Sequence, residues 1–142
     1  MPEDGKIDDV ATIEARRAER KAGIAKARAE QYGRDVVQVD RLEQELGDDR
    51  VAVLKTPSFV AGLPTVIVVK TPTKPQFARF RSQVQKSKSN SEAIGAAQQM
   101  LGDSCVIYPE REIYDRMLGE WPALQDNVGL EAIRLGEAEG KG

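Results

Sequence analysis

Hydrophobic positions recur at strand spacing in two places near the middle of the chain, and at helical spacing in most of the rest. The segments VAVLK (Val51–Lys55) and TVIVVK (Thr65–Lys70) are β-branched runs of strand length, each followed by Thr-Pro. Because proline cannot donate to a strand ladder, both runs end there. The spacing predicts one antiparallel strand pair joined by the nine-residue loop TPSFVAGLP.

The N-terminal part of the chain is rich in helix-forming residues. Residues Ile7 to Gln31 are mostly Ala, Glu, Arg and Lys, without a continuous apolar stripe. This pattern predicts a charged, exposed helix that Gly33 ends. It is either a solubilising arm or a helix that docks on a partner. A second helix is predicted over Asp35 to Leu46, because Asp35 can cap its start and apolar residues follow at three- and four-residue spacing.

A helix is predicted directly after the second strand, in TPTKPQFARFRSQVQ. Thr73 and Gln76 have the spacing of a capping box, in which each residue satisfies a backbone N–H of the other. Phe77, Phe80 and Val84 follow on one face at helical spacing. This helix therefore points its phenylalanines toward the body of the protein.

Three further helices are predicted, each ended by a glycine. The first of these three carries Ile94, Ala97, Met100 and Leu101 as its apolar face. The predicted bounds are Ser89 to Gly102, Pro109 to Gly119 and Trp121 to Gly136. The fold class is thus α+β and mostly helical, with one antiparallel β-hairpin followed by a compact helical bundle. Residues 1–34 are assigned to a charged helical extension, 35–136 to the body and 137–142 to a frayed tail.

The loop TPSFVAGLP carries three apolar side chains, Phe59, Val60 and Leu63, beside turn-forming proline and glycine. Exposed apolar area is unfavourable unless something covers it. The loop therefore either folds back as a lid on the core or is offered to a partner. These three residues, together with Phe77 and Phe80, are the predicted partner-binding residues.

Composition narrows the class of protein. A chain of 142 residues with 40% hydrophobic content suits one modest core. A net charge of −2 gives no general reason to expect nucleic acid or an anionic membrane as partner. No apolar run approaches the roughly 18 to 20 residues of a membrane span, and the acidic N-terminus is unlike a signal peptide. A soluble protein of a reducing cytoplasm is expected.

Charge is distributed in blocks along the chain. Val10 to Arg34 carries seven Lys/Arg and three Glu, whereas Asp35 to Arg50 carries six acids and two bases. Thr71 to Asn90 has five bases and no acid, and Ser91 to Gly142 has ten acids and four bases. This alternation favours contact between segments or between copies in a homo-oligomer. A nucleic-acid adaptor that uses the basic blocks is a weaker alternative, and it requires binding that falls steeply with salt.

Candidate catalytic groups are few. The single cysteine, Cys105, has no histidine in the chain to hold it as a thiolate, so it is predicted to be a buried structural residue. The acids Glu110 and Glu112 stand at a predicted helix start, where the helix dipole favours acids in any case. Phosphate-binding glycine loops, EF-hands and zinc spacings do not occur. No catalytic residue, metal site or cofactor is predicted, which favours a non-enzymatic binding or assembly protein.

The order of motifs is more informative than any one of them. Two β-branched runs are followed by TPTKPQFARFRSQV, then CVIYPEREIYDRML, and finally WPALQDNVGLEAIRLG. This order, over about residues 49–136, resembles that of the tail assembly chaperones of tailed bacteriophages. The long basic N-terminal helix is not part of the resemblance.

The resemblance implies a protein without enzymatic activity. Such a chaperone binds and solubilises the tape measure protein while the tail tube protein polymerises around it. It implies these two proteins as partners, the bacterial host cytoplasm as the location, and absence from the mature virion. The alternative is a structural component of the virion, a tail or head-tail protein that self-associates.

Overall fold

A three-stranded antiparallel sheet separates one long helix from four shorter ones. The computed structural model describes the backbone of residues 2–141 and the side chains of residues 9–138. The elements are α1 (Pro2–Leu46), a 3-10 turn (Asp48–Arg50), β1 (Val51–Lys55), β2 (Val66–Lys70), α2 (Lys74–Lys86), α3 (Ser91–Cys105), β3 (Val106–Tyr108), α4 (Arg111–Glu120) and α5 (Leu124–Lys141). The predicted fold class, a mostly helical α+β protein, is confirmed.

The sheet has the strand order β1-β2-β3, with β2 in the centre. The predicted antiparallel pair is confirmed, with Val53 opposite Val68 in register. The third strand, β3, was not predicted. It is only three residues long and pairs with β2 across an irregularity between Val68 and Val69. A segment this short has no alternation that could distinguish it from a loop.

The sheet lies between two cores. Alternate residues of a strand point to opposite faces, so Val68 faces α1 while Ile67 and Val69 face the other helices. On the α1 side, Leu42 packs with Val51 and Val68. The larger core, on the other side, includes Leu63, Leu101, Cys105, Tyr114, Met117, Leu124, Val128 and Leu135.

The predicted break between two N-terminal helices is wrong. Residues Pro2–Leu46 form one helix of 45 residues, which passes through Gly33 without interruption. Asp35 is not a helix cap, because it lies in the interior of this continuous helix. Its side chain is fully buried. A glycine inside a helix costs about 1 kcal/mol relative to alanine. That cost is small beside the contacts that Asp35 makes, which are described below.

The predicted end of α3 is also wrong. The helix runs to Cys105, and Gly102 lies inside it, where α3 crosses α5. A Cβ atom at Gly102 would lie 2.6 Å from the backbone nitrogen of Gly129. Here the glycine permits a close helix contact and does not end the helix. The N-terminal cap is Asn90 and not Ser89, since the Asn90 side chain accepts a hydrogen bond from the Ala93 N–H at 3.0 Å.

The last two helices differ from their predicted bounds. α4 begins at Arg111, after Pro109, and ends at Glu120. α5 begins at Leu124 and continues through Lys141, so the predicted end at Gly136 is wrong. A Cβ atom at Gly136 would lie 2.5 Å from a ring carbon of Phe77. Gly136 is therefore another close contact, in which α5 receives an aromatic ring from α2.

Candidate functional site

A groove lies between α2 and α3 on the surface of the body. It is lined by Gln76, Arg79, Phe80 and Gln83 from α2, and by Ala97, Met100, Leu101 and Ser104 from α3. Its volume is about 160 Å³. We call this feature the α2–α3 groove, and its apolar floor is open to solvent.

The α2 wall of the groove is fixed by its capping box, as predicted. The Thr73 hydroxyl accepts a hydrogen bond from the Gln76 N–H at 3.3 Å, and the Gln76 side chain accepts one from the Thr73 N–H at 2.8 Å. The rings of Phe77 and Phe80 lie with their centroids 5.8 Å apart. Both rings are partly buried against the larger core. Phe80 therefore lines the groove from a helix that is fixed at its start by the capping box and along its inner face by the larger core.

The α3 wall supplies both the floor and the most exposed apolar side chain. Ala97 and Leu101 are 3% and 4% exposed, whereas Met100 is 58% exposed. The sequence assigned all three to one buried face, so the exposure of Met100 was missed. Methionine has a flexible, polarisable side chain and fits apolar surfaces of different shapes. Its position beside Phe80 gives the groove an adaptable edge.

The rim of the groove is polar. Gln76 and Gln83 carry amides, and Arg79 carries a guanidinium that pairs well with carboxylates. An apolar floor with a polar rim is the arrangement that receives one face of an amphipathic helix. The groove can therefore take an apolar side chain and pair a neighbouring acidic or amide side chain at its edge.

The loop TPSFVAGLP covers the body in this structure. Leu63 is only 2% exposed and belongs to the larger core, against which Val60 also packs. Phe59 is partly exposed. The Trp121 indole N–H donates to the Ser58 hydroxyl oxygen at 3.2 Å, which connects the loop to the segment between α4 and α5. Of the two alternatives for this loop, the structure has the lid, and Leu63 faces the protein interior.

The predicted binding residues therefore do not all line one surface. Phe80 lines the α2–α3 groove, and Phe77 lines a different cavity beside Gly136. The Arg81 guanidinium lies 4.6 Å from the centroid of the Phe77 ring, a cation–π contact that covers this ring. Of the five predicted residues, Phe80 is the one that the groove contains.

A buried carboxylate anchors α1 to the sheet. One Asp35 oxygen accepts hydrogen bonds from the Thr65 N–H at 2.7 Å and the Thr65 hydroxyl at 2.5 Å. The other accepts from the Tyr108 hydroxyl at 2.6 Å and the Gln31 amide at 3.0 Å. Burial, together with the hydrogen bond to the Asp35 carboxylate and its charge, raises the pKa of Tyr108 above its ordinary value. The phenol thus remains a donor, and α1 is held by one residue just before β2 and one on β3.

Most of the part of α1 before this anchor lies away from the body. We call residues 9–30 the arm and residues 31–46 the base. Every residue from Asp9 to Lys26 is exposed, including Val10, Ile13 and Ile24 at 64%, 45% and 53%. The base, in contrast, buries Asp35 and Leu42. The arm is a second surface that a partner could cover.

Cys105 is buried, as predicted, at the junction of α3 and β3. Burial raises the pKa of its thiol, and a smaller opposing effect comes from the Ser104 hydroxyl. A protonated, inaccessible thiol is a poor nucleophile. Its contribution is to the packing of the larger core.

Comparisons with known proteins gave no match to a protein family model, a curated protein or a solved structure. In the part of the chain that the structure describes, no helix is long and apolar enough to cross a bilayer. Among the same residues, no three side chains of the metal-binding types come together.

Proposed function

We propose that this protein binds an amphipathic helix without catalysing a reaction, and that it is a bacteriophage tail assembly chaperone for the tape measure protein. The observation that supports the proposal is the α2–α3 groove, in which Phe80 and the exposed Met100 flank a floor made by Leu101. The tape measure protein is named as the client because the order of motifs over residues 49–136 resembles that of the tail assembly chaperones. The groove supplies a physical means of binding it.

The size of the groove fits a single anchor residue. An apolar cavity of about 150 Å³ accepts a benzene-sized group, and the groove has a volume of about 160 Å³. One leucine or phenylalanine from one turn of a client helix would occupy it. Side chains one turn away on the client would then lie near Arg79 and Gln83.

The expected affinity of one groove is low, which suits a chaperone. Burying one leucine-sized side chain contributes about 1.5 to 3 kcal/mol. A client that is bound this weakly can dissociate when tail tube subunits arrive. A long helical client presents many such turns, so several copies of the chaperone along it would keep it soluble through repeated weak contacts.

The test is co-expression with the tape measure protein of the same phage. Met100→Glu places a carboxylate in the groove at a residue already 58% exposed, so folding should be unaffected. Leu130→Glu is the matched control, because Leu130 is 56% exposed on α5 and does not line the groove. We expect the first variant to lower the soluble tape measure protein about tenfold, equivalent to about 1.4 kcal/mol, and the second to leave it unchanged. Equal solubility with both variants would exclude the groove as the client site.

The second candidate function is a structural component of the virion. The alternating charge blocks favour it, because residues 10–34 are basic and residues 35–50 are acidic. Mass spectrometry of purified virions separates the two functions. A chaperone should be missing from mature particles, whereas a structural protein should be present at a fixed copy number.

A further inference from the structure

The arm contains an eleven-residue repeat. Ile13 and Ile24 are eleven positions apart, and each is followed by Arg-Ala-Glu beginning four residues later, at Arg17 and Arg28. Eleven residues make about three turns of an α-helix, so equivalent positions fall within about 20° of each other around the axis. Both isoleucines and both arginines therefore lie along one side of the helix.

The same side of α1 packs on the body further along the helix. The next position in the series after Ile13 and Ile24 is Asp35, which is fully buried against the sheet. The arm thus continues a packing face beyond the edge of the body. Arg28 and Tyr32 line a cavity of about 390 Å³ with Lys55 and Thr65 at the corner where the arm leaves the body.

The charge of this face determines which occupant fits it. The arm carries six bases and four acids. Five of the bases fall within about 90° of Ile13 and Ile24 around the helix axis: Arg16, Arg17, Arg20, Lys21 and Arg28. If two arms paired antiparallel about the midpoint between Ile13 and Ile24, Arg17 and Lys21 of one copy would meet the basic residues of the other. Like charges at helix contacts are destabilising. A helix with carboxylates beside its apolar stripe would instead be attracted to these basic residues.

We infer that this face of the arm is a second docking surface, separate from the α2–α3 groove, and that its occupant is an acidic amphipathic helix of another protein. Apolar side chains of the partner cover Ile13 and Ile24, and its carboxylates pair with Arg17 and Arg28. The corner cavity receives the end of the partner helix nearest the body. An eleven-residue hydrophobic repeat favours a right-handed supercoil, so a partner with the same period keeps contact along the arm.

The experiment uses the full-length protein and a synthetic peptide as probe. The peptide is a fluorescent helix of about three eleven-residue repeats, with Ile and Glu spaced as Ile and Arg are in the arm. Its twin carries Lys in place of Glu. Fluorescence anisotropy should show binding of the Glu peptide that weakens as salt is raised, and no binding of the Lys peptide.

Two variants of the protein locate the binding. Ile13→Glu/Ile24→Glu should weaken binding of the Glu peptide at least tenfold. The control Ala15→Glu/Ala22→Glu adds the same charge two residues from each isoleucine, on the opposite side of the helix, and should weaken binding much less. Both variants alter exposed residues, and circular dichroism should show unchanged helix content. Met100→Glu should bind the peptide as the wild type does, so failure of the groove and failure of the arm are distinguishable.

Three results would overturn the inference. The first is a Glu peptide that does not bind, and the second is equal loss of binding in the two double variants. The third is a dimer in sedimentation experiments that Ile13→Glu/Ile24→Glu dissociates, because a second copy would then occupy the face.

Discussion

The arm and the base of α1 are parts of one helix, yet different forces maintain them. The base is fixed by tertiary contacts, in which Asp35 receives four hydrogen bonds and Leu42 enters the smaller core. The arm has only its helix-forming composition and its connection to the base. Starting a helix is unfavourable, whereas extending an existing one is not. The base thus acts as the nucleus from which the arm extends.

The largest expected effect comes from removing the anchor. Asp35→Ala would leave the Thr65 N–H, the Thr65 hydroxyl and the Tyr108 hydroxyl without their acceptor. Buried polar groups without partners are costly, so the free energy of unfolding should fall by about 3 to 5 kcal/mol. Urea unfolding followed by circular dichroism measures this loss. The exposed Asp40 provides the control, and an Asp40→Ala variant as unstable as Asp35→Ala would contradict the role of the anchor.

The second largest difference between base and arm is expected when an apolar side chain of each is shortened to alanine. Leu42 is 7% exposed in the base, so Leu42→Ala should lower the free energy of unfolding by about 2 to 4 kcal/mol. Ile24 is 53% exposed in the arm, and Ile24→Ala should change it by less than about 0.5 kcal/mol. Thermal unfolding of the two variants gives the comparison. Equal losses would mean that the arm contributes to the folded body.

A smaller effect is expected from the hydroxyl of Tyr108. Tyr108→Phe removes one donor to Asp35 and should cost about 1 to 2 kcal/mol at neutral pH. Since the pKa of Tyr108 is raised in the folded protein, its stabilising contribution is complete below the unfolded value of about 10 and is lost at higher pH. Unfolding experiments from pH 8 to 11 should therefore show a difference between wild type and variant that narrows above about pH 10. A difference that widens there would contradict the assignment.

The smallest expected effects concern two glycines of α1. Neither Gly23 in the arm nor Gly33 in the base has an atom within 4 Å of the position that a Cβ would take. Gly33→Ala should raise the free energy of unfolding by about 0.5 to 1 kcal/mol, because the base folds together with the body. Gly23→Ala should instead reduce amide hydrogen exchange within the arm and leave global unfolding unchanged. Identical effects at both positions would mean that arm and base unfold as one unit.

Elements whose determinants are local were predicted well from the sequence. β1 follows from a β-branched run that Thr-Pro ends, and α2 follows from a capping box and a proline in its first turn. Both devices lie within a few residues of the structure they specify. Their bounds therefore did not depend on the rest of the chain.

Features whose determinants are distant were missed. Aspartate is both a good helix cap and a good buried acceptor, and only Thr65 and Tyr108, 30 and 73 residues away, decide for Asp35. From the sequence alone Gly102 looks like a helix end, and only its close contact with Gly129 shows why a glycine is needed inside the helix. In the candidate site, Phe80 was found from its helical spacing. The exposure of Met100 depends on where α2 lies, and no pattern within α3 reveals it.

The crossing at Gly102 and Gly129 has a consequence for recognition. The two helix backbones touch there without an intervening side chain, so α3 has no room to move toward α5. Leu101, the floor of the α2–α3 groove, is the residue next to this crossing. The depth of the groove is therefore set by a rigid contact, and only its width can adapt, through α2 and the Met100 side chain. Under the proposed function, a client would be selected by the length of its anchor residue, whereas anchor residues of different breadth would be accepted.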